Sequence, residues 1–139
     1  MSTTTTTTTG AELKVRLTGL GISPGWFADQ CGVAMRTVVR WFDGGFVEAK
    51  VEDLLEELSA LTVKSMMDML DEIDEETKDQ EGSHVTLSTY RTDAEFASKF
   101  TGRKTIGSIQ PPASWHRALT FRVWEHLRAS GHEVSIEYR

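Results

Sequence analysis

Cysteine, proline and positive charge are scarce in this chain, and each scarcity removes a class of protein. A single cysteine, Cys31, among 139 residues excludes an intramolecular disulfide and any multi-cysteine metal cluster, as expected in a reducing cytoplasm. No stretch approaches the roughly 20 apolar residues that cross a bilayer, so neither membrane insertion nor a membrane partner is expected. The opening MSTTTTTTTG has no basic start and no apolar stretch. It reads as a polar tail over residues 1–10, disordered from Ser2 to Thr9, and not as a secretory signal. Prolines number only three, Pro24, Pro111 and Pro112, which leaves residues 48–78 without a helix breaker.

Lysine and arginine total 15 against 21 aspartates and glutamates, for a net charge of -6. That balance argues against a uniformly basic nucleic-acid binder, but the deficit is local. Residues 1–50 carry five basic and four acidic side chains, residues 51–82 two and twelve, and residues 83–139 eight and five. Acidity confined to one segment leaves the first 50 residues free to meet phosphate, on a weak footprint.

What is present is helical punctuation. AELKVRLTGLGI spaces Leu13, Leu17 and Leu20, with Val15 and Ile22, as a short helix closed by Gly19 and Gly21. Ser23 is a natural N-cap and Pro24 fits the first helical position, which predicts a second helix from Pro24 to Cys31, broken at Gly32. AMRTVVRWFDGG predicts a third, with Val38 and Trp41 inward and Gly44 and Gly45 at its end. From Glu48 to about Lys78, Val51, Leu54, Leu55, Leu58, Leu61, Met66, Leu70 and Ile73 keep a helical period, in one long helix or two in succession, with the acids on a solvated face. The Met66, Met67 and Met69 cluster reads as adaptable packing.

After KDQEGSH the period changes. HVTLSTY alternates as a strand with Val85, Leu87 and Thr89 on one face. Thr92 and Glu95 form a capping-box pattern for a short helix. A loop follows, with room for a brief strand at Thr105–Ile106. PASWHRALTFRVWEHLRASG then predicts a helix with Trp115, Leu119, Val123, His126 and Leu127 along one side and Gly131 at its end. EVSIEYR closes as a strand. The fold class expected is mainly α with a small α+β part: an N-terminal helical bundle over 11–47, an acidic connecting helix over 48–82, and a C-terminal α+β domain over 83–139.

The window PGWFADQCGVAMRTVVRWFD carries the chemistry. Small Ala28 sits where two helices approach most closely, and Gly32 permits the turn between them. Phe27, Cys31, Val33, Val38 and Trp41 hold the pair at a fixed angle, the requirement of a helix-turn-helix. Ala34, Met35, Arg36, Thr37, Val39 and Arg40 then face outward toward a major groove. There an arginine can donate two hydrogen bonds to the O6 and N7 of guanine, and Ala34, Met35 or Val39 can touch a thymine methyl. Lys14 and Arg16 are expected to flank the DNA backbone, and Asp43 to stay outside the contact set.

GVAMRTVVRWFDGG is similar to the end of the recognition helix in small phage and bacterial regulators. HVTLSTYRTDAEFASKF and SWHRALTFRVWEHL extend the likeness over most of the chain from about Ala11. The sequence resembles the YdiL-like proteins and the anti-CRISPR-associated autorepressors, and departs from them in its strongly acidic helix and its final EVSIEYR strand. The resemblance implies a homodimeric transcriptional repressor on an inverted repeat, often in its own promoter. It also implies a C-terminal dimerisation domain, for which Val85, Leu87, Trp115, Leu119, Val123 and Trp124 are the expected contacts. The alternative is an interaction or antitoxin-like module whose C-terminal part binds a partner protein.

Other chemistries find little in the sequence. The histidines at 84, 116, 126 and 132 lack metal-ligand spacing, and no phosphate loop, nucleophile elbow or Ser/His/Asp grouping is readable. No cofactor, metal or catalytic residue is expected. RNA binding has only Arg103–Lys104 and the aromatics Tyr90 and Tyr138 to rest on.

Overall fold

The computed structural model describes residues 8–44, 47–79, 84–99 and 109–139. The expected strand at Thr105–Ile106, the Arg103–Lys104 pair and Gly45 lie outside the described residues. Among the described residues six helices and two strands follow in the order α1 (Gly10–Leu20), α2 (Pro24–Cys31), α3 (Met35–Phe42), α4 (Ala49–Thr77), β1 (His84–Thr89), α5 (Asp93–Lys99), α6 (Ala113–Ala129) and β2 (Glu133–Tyr138). The protein is mainly helical, with one small parallel sheet.

The N-terminal helices begin and end where local chemistry demands. The Thr9 hydroxyl caps α1 by accepting from the Glu12 N–H at 3.2 Å. Thr8 is buried; its N–H donates to the Glu52 carboxylate and its carbonyl accepts from the Val47 N–H. Thr8 and Thr9 therefore belong to the fold, and the disorder expected of the tail does not reach them. Gly10 is confined by a close approach: a Cβ there would lie 1.9 Å from the Trp41 carbonyl oxygen. The helix runs through Gly19 and stops at Gly21, where the Gly21 and Ile22 N–H groups return to Thr18 and Leu17. Leu13, Leu17, Leu20 and Ile22 are buried, but Val15 points outward at 71% exposure.

α4 is one continuous helix of 29 residues. Val51, Leu55, Leu58, Leu61 and Ile73 form its buried side together with Thr62 and Ser65, while its acids face out, partly paired as Lys64–Asp68 and Lys78–Glu75. It is not a free connector. One hydrophobic core runs from Leu13 and Phe27 through Val51, Leu55 and Leu58 to Phe96, Trp115 and Leu119, so residues from both ends of the chain share it. At its centre the Trp115 indole N–H donates to the Thr62 hydroxyl at 2.8 Å, and that hydroxyl donates to the Leu58 carbonyl at 2.7 Å.

β1 and β2 pair in parallel, from His84 against Glu133 to Thr89 against Tyr138. A parallel pair needs a crossover, which α5 and α6 provide. The Thr92 hydroxyl accepts from the Glu95 N–H at the start of α5, as the capping pattern predicts. Val85, Leu87 and Thr89 are the buried face of β1, packed over Val123 and Leu127 of α6 in a second cluster with Ile73.

Several expected placements change. On α6, His126 is exposed, although the sequence reading set it along the side of Trp115, Leu119 and Val123, and His116 is the buried histidine. The His116 Nδ1 sits 2.8 Å from the Thr89 hydroxyl and 3.3 Å from that of Thr120. Tyr90 is buried against Phe96 and His116, where no base can stack on it. Val85, Leu87, Trp115, Leu119 and Val123 lie inside the chain's own core, none more than 7% exposed, so they offer no surface to a second copy. Of the residues expected at a dimer contact, Trp124 alone reaches the surface, stacked on exposed Phe121 with ring centres 5.9 Å apart.

Candidate nucleic-acid interface

α2 and α3 are short, and the turn between them is set by one residue. The Ser23 hydroxyl accepts from the Trp26 N–H at 3.1 Å and Pro24 opens α2. At the other end Gly32 adopts φ +71°, its N–H returning to Asp29 and that of Val33 to Ala28 at 3.0 Å. Gly32 permits the turn, as the sequence predicts, but not by relieving a clash: a Cβ there would meet nothing within 4 Å. The constraint is the backbone angle alone. Gly32→Ala is therefore expected to cost about 1–2 kcal/mol, and Gly32→Asn less, because asparagine tolerates the left-handed region. Chemical denaturation of the two variants checks the order.

The inward side of this helix pair is Phe27, Ala28 and Val38, all buried, with Cys31, Val33 and Trp41 half-buried against the same core. Burial pushes the Cys31 thiol above its ordinary pKa, with Lys50 opposing and Glu48 assisting. It stays a packed, neutral thiol at neutral pH. Trp41 and Val38 anchor α3, and its other side is presented outward.

That side holds Met35 at 56% exposure and Val39 at 40%, with Arg36 and Arg40 exposed between and beside them. Neither arginine makes an ion pair among the described residues. Ala34 is the N-cap of α3 and supplies no side-chain acceptor. Thr37 is half-buried, the least accessible of the expected contacts. Asp43 caps the far end of the helix.

The flanking cations divide. Lys14 stays exposed, its Nζ 5.9 Å from the centre of the Phe42 ring. Arg16 is turned toward α4, where it meets the Glu56 carboxylate and the Ser59 hydroxyl, each at 3.1 Å. It is thus a brace between α1 and α4 and not a spare cation beside the α3 surface. Two arginines that the sequence reading did not single out have similar duties: Arg122 donates to the Gly19 carbonyl at 2.8 Å, and Arg117 to that of Tyr90 at 2.8 Å. Their sequence signal is weak, since both stand on a helix whose outward positions ordinarily carry solvated charge.

Among the described residues no three His, Cys, Asp or Glu side chains gather where a metal ion would sit, and no helix is long and apolar enough to cross a membrane. No protein-family model matches the sequence, and comparison with curated proteins finds no match.

Proposed function

We propose that α2 and α3 form a helix-turn-helix and that the chain is a sequence-specific DNA-binding repressor, acting as a homodimer on an inverted repeat in its own promoter. The observation that carries this reading is the outward surface of α3. Two arginines without an ion-pair partner among the described residues stand among exposed apolar residues, on a helix aimed by buried Val38 and half-buried Trp41. An arginine held this way suits the O6 and N7 of guanine, and Met35 or Val39 suits a thymine methyl. The resemblance of GVAMRTVVRWFDGG to the recognition helices of phage and bacterial autorepressors points the same way.

Dimerisation follows from the size of the surface. One short helix touches too few base pairs for useful discrimination, whereas two related by a two-fold axis read half-sites about one helical turn apart. Solvated acids on α4 disfavour loose binding elsewhere on the protein, which sharpens the contrast between a specific site and bulk DNA. A gel-shift comparison at physiological salt, using the duplex upstream of the gene and its scrambled counterpart, tests the reading. Preference for the natural fragment by about a thousandfold or more is expected, and equal affinity for both overturns it.

A further inference from the structure

β2 is an edge strand with no strand on its outer side among the described residues. It pairs with β1 alone, and its hydrogen bonds show which groups are spare. The Arg139 N–H donates to the Thr89 carbonyl at 2.9 Å. In a parallel ladder, successive residues turn their backbone groups to alternate sides. The N–H and C=O of Val134, Ile136 and Tyr138 consequently point away from β1. No backbone hydrogen bond among the described residues uses them.

The edge is also lightly guarded. Natural edges are blunted with charge, proline or a bulge, and EVSIEY has no proline, no lysine and no bulge, its charges being Glu133 and Glu137 alone. Ile136 and Tyr138 are 42% and 53% exposed, Val134 and Trp124 are half-buried against the same small core, and Trp124 stacks on exposed Phe121. Apolar side chains thus reach the surface both on α6 and at the rim of the sheet.

We infer that β2 is the seam of the homodimer, pairing antiparallel with β2 of a second copy so that two small sheets become one sheet of four strands. The occupant is a second copy because the strand complements itself in one register. To keep apolar residues on one face, opposed positions must have the same parity, which leaves three central alignments. Centring on Ser135 sets Glu133 against the second copy's Glu137 twice over, and centring on Glu137 sets Glu137 against itself. Centring on Ile136 opposes no like charges. It places Ile136 on Ile136, Val134 on Tyr138 and Ser135 on Glu137, and it brings Glu133 opposite Arg139 at both ends. The spare N–H and C=O groups of residues 134, 136 and 138 then meet as hydrogen-bonded pairs.

This inference rests on the dimer in the proposed function, and one experiment separates the two. Sedimentation velocity on the full-length protein at micromolar concentration is expected to show a dimer. Ile136→Pro removes an outward N–H without touching the bonds to β1, a position where an edge strand accepts proline. It should weaken dimerisation by about 30-fold or more with an unchanged far-UV circular dichroism spectrum. Glu133→Arg and Arg139→Glu should each weaken it about fivefold, and the two together should restore it. A monomeric wild-type protein overturns the dimer reading itself. A dimeric wild type whose Ile136→Pro variant dimerises equally well, or whose paired charge reversal does not restore association, overturns the β2 seam and leaves the dimer standing.

Discussion

Replacing Arg36 and Arg40 together by alanine is expected to abolish sequence-specific DNA binding while the protein stays folded. Both side chains are exposed and neither has an ion-pair partner among the described residues, so the substitution should change folding stability by no more than about 0.5 kcal/mol per site. The effect on DNA is larger because a two-fold dimer loses each contact twice. A bidentate arginine–guanine pair is worth about 1–3 kcal/mol, which makes even one substitution cost roughly 30-fold to ten-thousandfold in affinity for the operator. The single variants separate the roles. An arginine that reads a base relaxes preference at one position of each half-site. An arginine that meets phosphate weakens binding to every sequence alike and lowers the salt slope by about one per contact. Fluorescence anisotropy over a range of salt concentrations distinguishes these outcomes, and unchanged binding by the double variant would remove α3 from the interface.

Trp115→Ala is expected to be the most damaging change to stability. The side chain is fully buried where helices from both ends of the chain meet, beside Phe96 and His116 and hydrogen-bonded to Thr62. Truncating a buried tryptophan costs about 3–5 kcal/mol, and an ordinary domain has only about 5–15 kcal/mol to lose. Trp115→Phe keeps most of the packing and loses the indole hydrogen bond, so it should cost roughly 1–2 kcal/mol. The shared core makes a further demand. Since Leu13 and Phe27 belong to the same cluster as Trp115, α2 and α3 should unfold in the same transition as α6. Urea unfolding followed by far-UV circular dichroism and tryptophan fluorescence checks both points; separate transitions for the two ends would contradict the common core.

The helix pair was legible because its signals are local. Ser23 and Pro24 announce the start of α2, Gly32 announces its stop, and Val38 and Trp41 repeat with the spacing of a buried side. α4 was legible by period and by the want of glycine and proline, although nothing in its composition showed that it would be covered along both neighbouring helices. Thr62 and Ser65 look like solvent-facing residues by type. They are buried because Trp115, 53 residues away, supplies a donor for Thr62 and α6 covers the rest.

The misread positions share a physical origin in contacts distant in sequence. The period of α6 is satisfied nearly as well with His126 inward as with His116. The hydroxyls of Thr89 and Thr120 decide for His116, by giving its ring nitrogen a partner in the core. Val85, Leu87 and Val123 signalled apolar contact correctly, but the contact lies within one chain. Pairing of β1 with β2 could not be read from either strand, because its parallel register is set by how α5 and α6 pack and not by a turn. Gly10 gave no sign of its role, since the constraint is a carbonyl of α3.

Selection from a random duplex library, followed by sequencing of the DNA that the full-length protein retains at physiological salt, tests the central claim most directly. The expected result is an inverted repeat whose half-sites lie about 10 base pairs apart, or a multiple of that, centre to centre, with enrichment lost in the Arg36→Ala/Arg40→Ala variant. Retention of DNA without any enriched sequence, or enrichment that survives the loss of both arginines, would contradict it.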